Sequence, residues 1–151
     1  LMKKLGFLFM IVMVMFLLSL LFAHPTLALP NDCIQKRATL PAPYKIFKKS
    51  NPLKITPQTI LAGKKLYKDD AKPFGCIPCH GSPGNGKGMT ALFMTVKARD
   101  FTCRAMMNDI PDGQLFWIIK NGSKGTEMMS FKTLKDKEIW QIVSYIRQFS
   151  N

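Results

Sequence analysis

The sequence predicts an all-α domain of about four to five helices. Apolar residues recur at helical spacing near the C-terminus, where Ile139, Ile142, Val143 and Ile146 occupy positions i, i+3, i+4 and i+7. No stretch keeps the alternation of apolar and polar residues that is typical of a strand. Residues 29–151 number 123, which is enough for one hydrophobic core and too few for two. We therefore expect a single helical domain.

The first helix is predicted to begin after Thr56, a typical N-cap residue, with Pro57 at its first helical position. Apolar residues then recur over about three turns, at Ile60, Leu61, Leu66 and Tyr67. The Lys72–Pro73 step ends the pattern, because the residue before a proline disfavours helical backbone.

Three further helices follow along the chain. A short helix is predicted over residues 89–96. A compact apolar helix is predicted over residues 112–120, with an acidic residue in its first turn and Asn121–Gly122 as its stop. The last helix is predicted from about Leu134 to Phe149.

The N-terminus is predicted to direct export. Lys3 and Lys4 precede a nearly unbroken apolar run from Leu5 to Ala23, and a small residue, Ala28, follows where a signal peptidase would cleave. We predict that residues 1–28 are a cleaved signal peptide. The alternative is an uncleaved membrane anchor, since 19 apolar residues can just span a bilayer. Both readings place the domain in the periplasm or another extracytoplasmic compartment.

Residues 29–56 are predicted to form a proline-rich N-terminal arm ahead of a domain at residues 57–151. The arm contains Pro30, Pro41, Pro43 and Pro52, and it keeps neither a helical nor a strand period. It is longer than a minimal domain requires and could cover a partner surface. The simpler expectation is a disordered tail.

The charge of the chain favours acidic partners. The full chain has 22 Lys and Arg against 9 Asp and Glu, and removal of Lys3 and Lys4 leaves a formal charge of +11. The lysines are scattered rather than clustered into a base-reading element, so we expect no nucleic-acid binding. We expect a lysine-rich surface that attracts acidic protein partners. Contact with a membrane is expected only if residues 1–28 remain attached.

The strongest motif is Cys76-Ile77-Pro78-Cys79-His80. In an exported chain, Cys-x-x-Cys-His is typical of c-type haem attachment: two thiols one helical turn apart can bond the two vinyl groups of one porphyrin, and the next residue can bind the iron. A thioredoxin-like redox pair, a structural disulfide and a zinc site that adds Cys103 are the alternatives. His24 and His80 are the only histidines, so a His/His haem is excluded once residues 1–28 are removed.

The chain resembles the class I monohaem cytochrome c family over about residues 57–149. The resemblance rests on four ordered segments: Gly-Lys-Lys-Leu-Tyr at 63–67, Cys-Ile-Pro-Cys-His-Gly at 76–81, Gly-Thr-Glu-Met-Met-Ser-Phe at 125–131, and Glu-Ile-Trp-Gln-Ile-Val-Ser-Tyr-Ile-Arg at 138–147. The resemblance implies a cytochrome c-like fold wrapped around one covalently bound haem c, with the first and last helices crossing near the haem edge. It also implies covalent attachment through Cys76 and Cys79, and His80 as the proximal iron ligand.

Met128 corresponds to the distal ligand of that family, in a pattern where Met129 replaces a proline. The missing proline leaves the ligand loop freer, so the bond to iron could be exchangeable, and Met129 could substitute. Cys103 is the alternative ligand, since a thiolate would lower the reduction potential, as in the small set of exported cytochromes with His/Cys haems. The two spare cysteines, Cys33 and Cys103, could instead form a disulfide.

No general base, acid pair or activated nucleophile is visible outside the expected haem ligands, so we do not expect an enzyme. The sequence favours an exported cytochrome that carries single electrons between redox partners. The alternative is a haem protein that binds or senses nitric oxide or carbon monoxide through a labile or Cys-ligated sixth position. A further possibility is one subunit of a heteromeric cytochrome complex.

Overall fold

The computed structural model describes Met13, Met15, Cys33, Gln35 and residues 39–150. The chain divides into two compact units, Leu1–Asp32 and Cys33–Asn151. In the first unit only Met13 and Met15 are described, both helical and exposed, so the predicted signal peptide or anchor otherwise lies outside the described residues. In the part of the chain that is described, no helix is both long and apolar enough to cross a membrane.

The described residues of the second unit form helices and connecting loops without strands, which confirms the all-α prediction. The α-helices are α1 (Tyr44–Phe47), α2 (Pro57–Lys65), α3 (Ile77–His80), α4 (Arg104–Asn108), α5 (Asp112–Asn121) and α6 (Asp136–Ile146). A π-helical turn, Leu66–Asp70, continues α2, and 3-10 turns cover Met89–Phe93 and Arg147–Ser150. The helix predicted over 89–96 is therefore a shorter 3-10 turn, and α4 was not predicted.

The start of α2 follows the sequence signal. The Oγ1 atom of Thr56 accepts a hydrogen bond from the backbone N–H of Thr59 at 3.1 Å, and Pro57 occupies the first helical position. The helix then widens into the π turn, in which the N–H of Ala71 donates to the carbonyl of Leu66. Leu66 and Tyr67 are both buried in this turn.

Helices α2 and α6 cross, and their backbones are in contact at Gly63. A Cβ atom at Gly63 would collide with the carbonyl oxygen of Gln141, so the two backbones touch at a position where only glycine fits. The four predicted apolar positions of α6, Ile139, Ile142, Val143 and Ile146, are all buried in the core. Helix α5 ends at Asn121, as predicted, and its C-cap residue Gly122 has a positive φ of 76°, which favours glycine.

The described residues of the N-terminal arm, from Cys33 onward, belong to the second compact unit, so the expectation of a disordered tail is wrong for them. The backbone N–H of Ala42 donates to Gln114 Oε1 at 2.7 Å, and Asn51 Nδ2 donates to the carbonyl of Trp140 and to Ser144 Oγ. The second compact unit accordingly includes these arm residues together with the helices that follow. The sequence did not predict this order, because it depends on contacts of the proline-rich arm with α5 and α6 and not on a local hydrophobic period.

Candidate haem site

The Cys-x-x-Cys-His motif forms the single turn of α3. The backbone N–H of Cys76 donates to the carbonyl of Tyr67 at 2.7 Å, which joins this turn to the π-helical turn that continues α2. The N–H of His80 donates to the carbonyl of Cys76 at 2.9 Å, so the helical turn predicted from the spacing is present. Cys76 and Cys79 are both free thiols. The two sulfur atoms are therefore available for covalent attachment.

A glycine-rich loop, residues 81–88, folds back over the end of this turn. The N–H of Gly86 donates to the carbonyl of His80, and the N–H of Gly88 donates to the carbonyl of Cys79. A Cβ atom at Gly88 would collide with the backbone of Ile77 and Pro78. The buried Tyr67 hydroxyl donates to the carbonyl of Gly81 at 2.7 Å. The loop thus satisfies the C-terminal carbonyls of α3 and holds the motif in place.

The orientation of His80 is set by two neighbours. Its ring is 8% exposed, and Nδ1 lies 3.0 Å from the carbonyl oxygen of Arg99. Because a carbonyl oxygen only accepts hydrogen bonds, Nδ1 must carry the proton, and Nε2 then carries the lone pair that can bind a metal. Phe101 stacks on the same ring, with the ring centroids 4.4 Å apart.

A cavity of about 290 Å³ lies against this turn. Cys76, Cys79, His80 and Met128 all line it, together with mainly apolar side chains that include Phe101 and Leu115. A smaller cavity of about 20 Å³ is also bounded by Cys76, His80 and Met128. Two free thiols, one imidazole and the thioethers of Met94, Met128 and Met129 therefore share an apolar cavity, and this donor set fits a covalently attached haem.

Hydrogen bonds fix the loop that contains Met128. The N–H of Met128 donates to Thr126 Oγ1 at 3.1 Å, and the carbonyl of Met128 accepts from the N–H of Ser123 at 3.0 Å. The carboxylate of Glu127 accepts the N–H of Thr95 at 2.7 Å, and this bond lowers the pKa of Glu127. Met129 is 37% exposed; it lines the larger cavity but not the smaller one. Of the two methionines, only Met128 lines both cavities.

Cys103 is bonded to Cys33 in a disulfide, which is one of the two possibilities that the sequence left open for Cys103. A disulfide sulfur carries no thiolate charge, so the alternative in which Cys103 binds iron is wrong for this structure. Cys103 also lines neither of the two cavities described above. The distal thiolate that would have lowered the reduction potential is therefore absent from the site.

The other interpretations of the motif fit less well. Burial, followed by the proximity of Cys79, raises the pKa of the Cys76 thiol to about 12, whereas a thioredoxin-like pair requires a lowered thiol pKa. The strands of that fold are also absent from the described residues. Among those residues, no group of three or more His, Cys, Asp or Glu side chains could hold a metal ion, which argues against the zinc alternative.

Several residues of the site were not found by sequence reasoning. Thr39, Pro41 and Phe47 of the N-terminal arm line the larger cavity. Gln35 and Arg99 form hydrogen bonds around the segment that faces His80. The contacts of Gln35 join positions more than 60 residues apart, and the other residues belong to no motif. The sequence therefore offered no signal for them.

The comparisons with known proteins agree with this site. Residues 58–146 match the family described as Cytochrome C oxidase, cbb3-type, subunit III. A solved structure of the reducing HAO-like protein complex from Kuenenia stuttgartiensis is 32% identical, with a TM-score of 0.57 over 66% of this chain. The chain spans about half, 47%, of the length of that protein. No curated protein sequence matches the chain.

The matched family comprises c-type cytochromes, so the cofactor of this chain is covalently bound haem c. The matched region runs from the second residue of α2 to the end of α6 and includes Cys76, Cys79, His80 and Met128. The chain therefore belongs to the c-type cytochrome family described as Cytochrome C oxidase, cbb3-type, subunit III.

Proposed function

We propose that this protein is an exported carrier of single electrons and not a catalyst. The observation that supports the proposal best is that Cys76, Cys79, His80 and Met128 line one apolar cavity. No further group with an acid–base or nucleophilic role is needed to explain the site. A haem held in this way supplies a one-electron iron couple.

Each residue has a defined role in this proposal. Cys76 and Cys79 would form the two thioether bonds to the porphyrin, and His80 would bind the iron through Nε2. Met128 would be the sixth ligand, and its thioether sulfur would favour ferrous iron and a high reduction potential. The apolar lining of the cavity would exclude water, which limits the reorganisation that accompanies each electron transfer.

Binding of nitric oxide or carbon monoxide is the weaker candidate. It requires a sixth ligand that leaves readily, and the loop of Met128 is instead restrained at Ser123, Thr126 and Glu127. The disulfide between Cys103 and Cys33 argues against Cys103 as the labile ligand. Rapid binding of carbon monoxide to the reduced iron at the sixth position would support this second function.

The proposal includes export and a cytochrome partner. The basic and apolar pattern of residues 1–28 supports a signal peptide that leads to the periplasm or another extracytoplasmic compartment. The similar structure is a protein complex, which supports assembly or transient contact of this chain with another redox protein. The mature charge of +11 supports a partner with an acidic surface.

An exposed apolar surface, formed by Met89, Leu92 and Phe93, is the best candidate for the docking face. These side chains are 86%, 89% and 87% exposed, an unusual density of apolar residues on one 3-10 turn. The turn adjoins the haem attachment motif, because Thr90 Oγ1 lies 3.3 Å from Cys79 Sγ. An electron that leaves the haem on the side of this turn would travel a short distance to a partner docked there.

The charge around this surface indicates what the partner is. No acidic residue occurs between Asp70 and Asp100, and four basic residues do: Lys72, Lys87, Lys97 and Arg99. The carboxylate that contacts the segment, Glu127, is engaged by Thr95. A second copy of this chain would be repelled by like charge. The surface fits an electron-transfer protein with an apolar face and an acidic rim, in a small transient interface.

The proposal is tested by producing the full chain in a host that attaches haem c. We expect one covalently bound haem, a reversible one-electron titration, and loss of covalent haem in Cys76→Ser with Cys79→Ser. The matched control is Cys33→Ser with Cys103→Ser, which should still bind haem covalently. Absence of covalent haem in the wild type, or its retention in the first double variant, would contradict the proposed site.

A further inference from the structure

A chain of hydrogen bonds leads from the N-terminal arm to the ring of His80. The carbonyl of Arg99 accepts from His80 Nδ1 at 3.0 Å, and the N–H of Asp100 donates to Gln35 Oε1 at 2.9 Å. That carbonyl and that N–H belong to one peptide group. Because a trans peptide is planar and its C=O and N–H point in opposite directions, Gln35 and His80 lie at the two ends of the same peptide.

Gln35 also holds the preceding peptide. Its Nε2 donates to the carbonyl of Ala98 at 2.9 Å, so one side-chain amide forms hydrogen bonds with the backbone on both sides of Arg99. This is the pairing that a neighbouring strand would provide, supplied here by a single side chain. The direction of the Arg99 carbonyl is therefore fixed by Gln35.

The surroundings keep both ends of this arrangement in place. Cys33, two residues before Gln35, is linked to Cys103, four residues after Arg99. The guanidinium of Arg99 donates to Thr39 Oγ1 and to Met106 Sδ. The arm and the segment 98–103 are thus joined at several points within a few residues of the His80 hydrogen bond.

We propose that Gln35 is a positioning residue that tunes the proximal ligand of the haem. Through the peptide between Arg99 and Asp100, its Oε1 polarises the carbonyl that accepts the His80 Nδ1 proton. A stronger acceptor makes the imidazole a more basic ligand, which stabilises ferric iron and lowers the reduction potential. The inference rests on the proposed role of His80 as the iron ligand.

The direction of the effect follows from this arrangement. Loss of the Gln35 amide leaves the Arg99 carbonyl a weaker and less well oriented acceptor, so the His80 Nδ1 proton should exchange faster with solvent. The ferrous state should be favoured. Mutation of an outer-shell partner of a metal ligand typically changes metal affinity or activity by about tenfold or more. A tenfold change in the ferric–ferrous equilibrium corresponds to ~59 mV for one electron.

The experiment compares four haem-loaded full-length proteins: the wild type, Gln35→Met, Gln35→Glu and Gln148→Met. Gln35→Met keeps the length of the side chain and removes both hydrogen bonds. Gln35→Glu keeps the acceptor for Asp100 and removes the donor to Ala98. Gln148→Met is the matched control, because Gln148 Nε2 donates only to the carbonyl of Ser144 within α6 among the bonds described. The readouts are the NMR exchange rate of the His80 Nδ1 proton and the reduction potential at high salt.

We expect faster proton exchange and a higher potential in Gln35→Met, slow exchange in Gln35→Glu, and wild-type behaviour in Gln148→Met. Equal proton exchange rates and equal reduction potentials in all four proteins would overturn the proposal. Proton exchange at His80 Nδ1 that is equally fast in Gln35→Met and Gln35→Glu would also overturn the proposal. The side-chain oxygen that accepts the N–H of Asp100 would then have no effect. Failure of the proposed function is distinguishable, since the wild type itself would lack a histidine-ligated haem.

Discussion

The ring of Phe101 lies against the ring of His80, with centroids 4.4 Å apart and an interplanar angle of 17°. Phe101 is buried and also stacks on Phe149, so the imidazole is supported by an aromatic cluster that reaches the C-terminal turn. The hydrogen bond to the Arg99 carbonyl restrains the same ring at its edge. Together these contacts leave His80 one orientation, with Nδ1 directed at the backbone.

Truncation of Phe101 should therefore destabilise the protein. Phe101→Ala is expected to lower the free energy of unfolding of the haem-loaded protein by about 3–5 kcal/mol, because it leaves a cavity in the core. Chemical denaturation measures this change. Phe93→Ala is the matched control, since Phe93 is 87% exposed and its loss should cost less than about 0.5 kcal/mol. Equal effects of the two substitutions would contradict the description of the core.

The disulfide should contribute strongly to stability, because it closes a loop with a sequence separation of 70 residues. Replacing both Cys33 and Cys103 by serine is expected to lower the free energy of unfolding by about 4 kcal/mol, through the greater freedom of the unfolded chain. Denaturation of the oxidised wild type and the double variant measures the difference. A variant as stable as the wild type, with haem retained in both, would show that the bond is absent or without effect.

The sequence predicted the parts of the fold that depend on local pattern. The periodicity of α6 and the N-cap at Thr56 are present as expected, and the spacing of Cys76, Cys79 and His80 was enough to recognise the attachment turn. A hydrophobic period or a capping residue is a property of neighbouring positions, so it is visible without the structure.

The sequence could not predict the role of the N-terminal arm. The contacts of Gln35 with Ala98 and Asp100 span more than 60 residues, and a single glutamine carries no pattern that would identify its partners. The choice between a disulfide and an iron ligand for Cys103 also remained open, since spacing alone does not determine cysteine pairing. Both questions depend on which segments pack together, and only the fold answers them.

Alkaline pH should weaken the fold through Tyr67. Burial raises the pKa of Tyr67 well above its ordinary value of about 10, so the folded state holds the phenolic proton more tightly than the unfolded state. The stability that this proton contributes is complete below about pH 10 and is lost as the pH rises further. The free energy of unfolding of the wild type should therefore fall above about pH 10.

The Tyr67→Phe variant isolates this contribution. It should be about 1 kcal/mol less stable near neutral pH, because the hydrogen bond to the Gly81 carbonyl is lost. Its stability should then decline less steeply at alkaline pH than that of the wild type. Tyr44→Phe is the control, since Tyr44 is 74% exposed. Identical pH slopes in the wild type and Tyr67→Phe would contradict the assignment.

The exposed apolar turn should control association with an acidic redox protein. With flavodoxin semiquinone as the acidic electron donor, Leu92→Ser with Phe93→Ser should lower the second-order rate constant about tenfold, by analogy with the loss of a central interface anchor. Added salt should slow the wild type, because screening weakens attraction between opposite charges. Reduction by dithionite, which needs no apolar docking, should be unchanged.

Leu61→Ser is the matched control for this experiment, because Leu61 is an exposed leucine on α2, outside the proposed docking face. It should leave the rate constant and the reduction potential at their wild-type values. A rate constant that depends on neither salt nor the Leu92 and Phe93 substitutions would place docking elsewhere on the surface.

The central claim is a haem whose iron is bound by His80 and Met128, and an optical spectrum of the ferric protein tests it most directly. Methionine sulfur on ferric haem gives a weak long-wavelength band. The account predicts this band in the wild type and in Met129→Leu, and its loss in Met128→Leu. Persistence of the band in Met128→Leu, or its loss only in Met129→Leu, would contradict the assignment of the distal ligand.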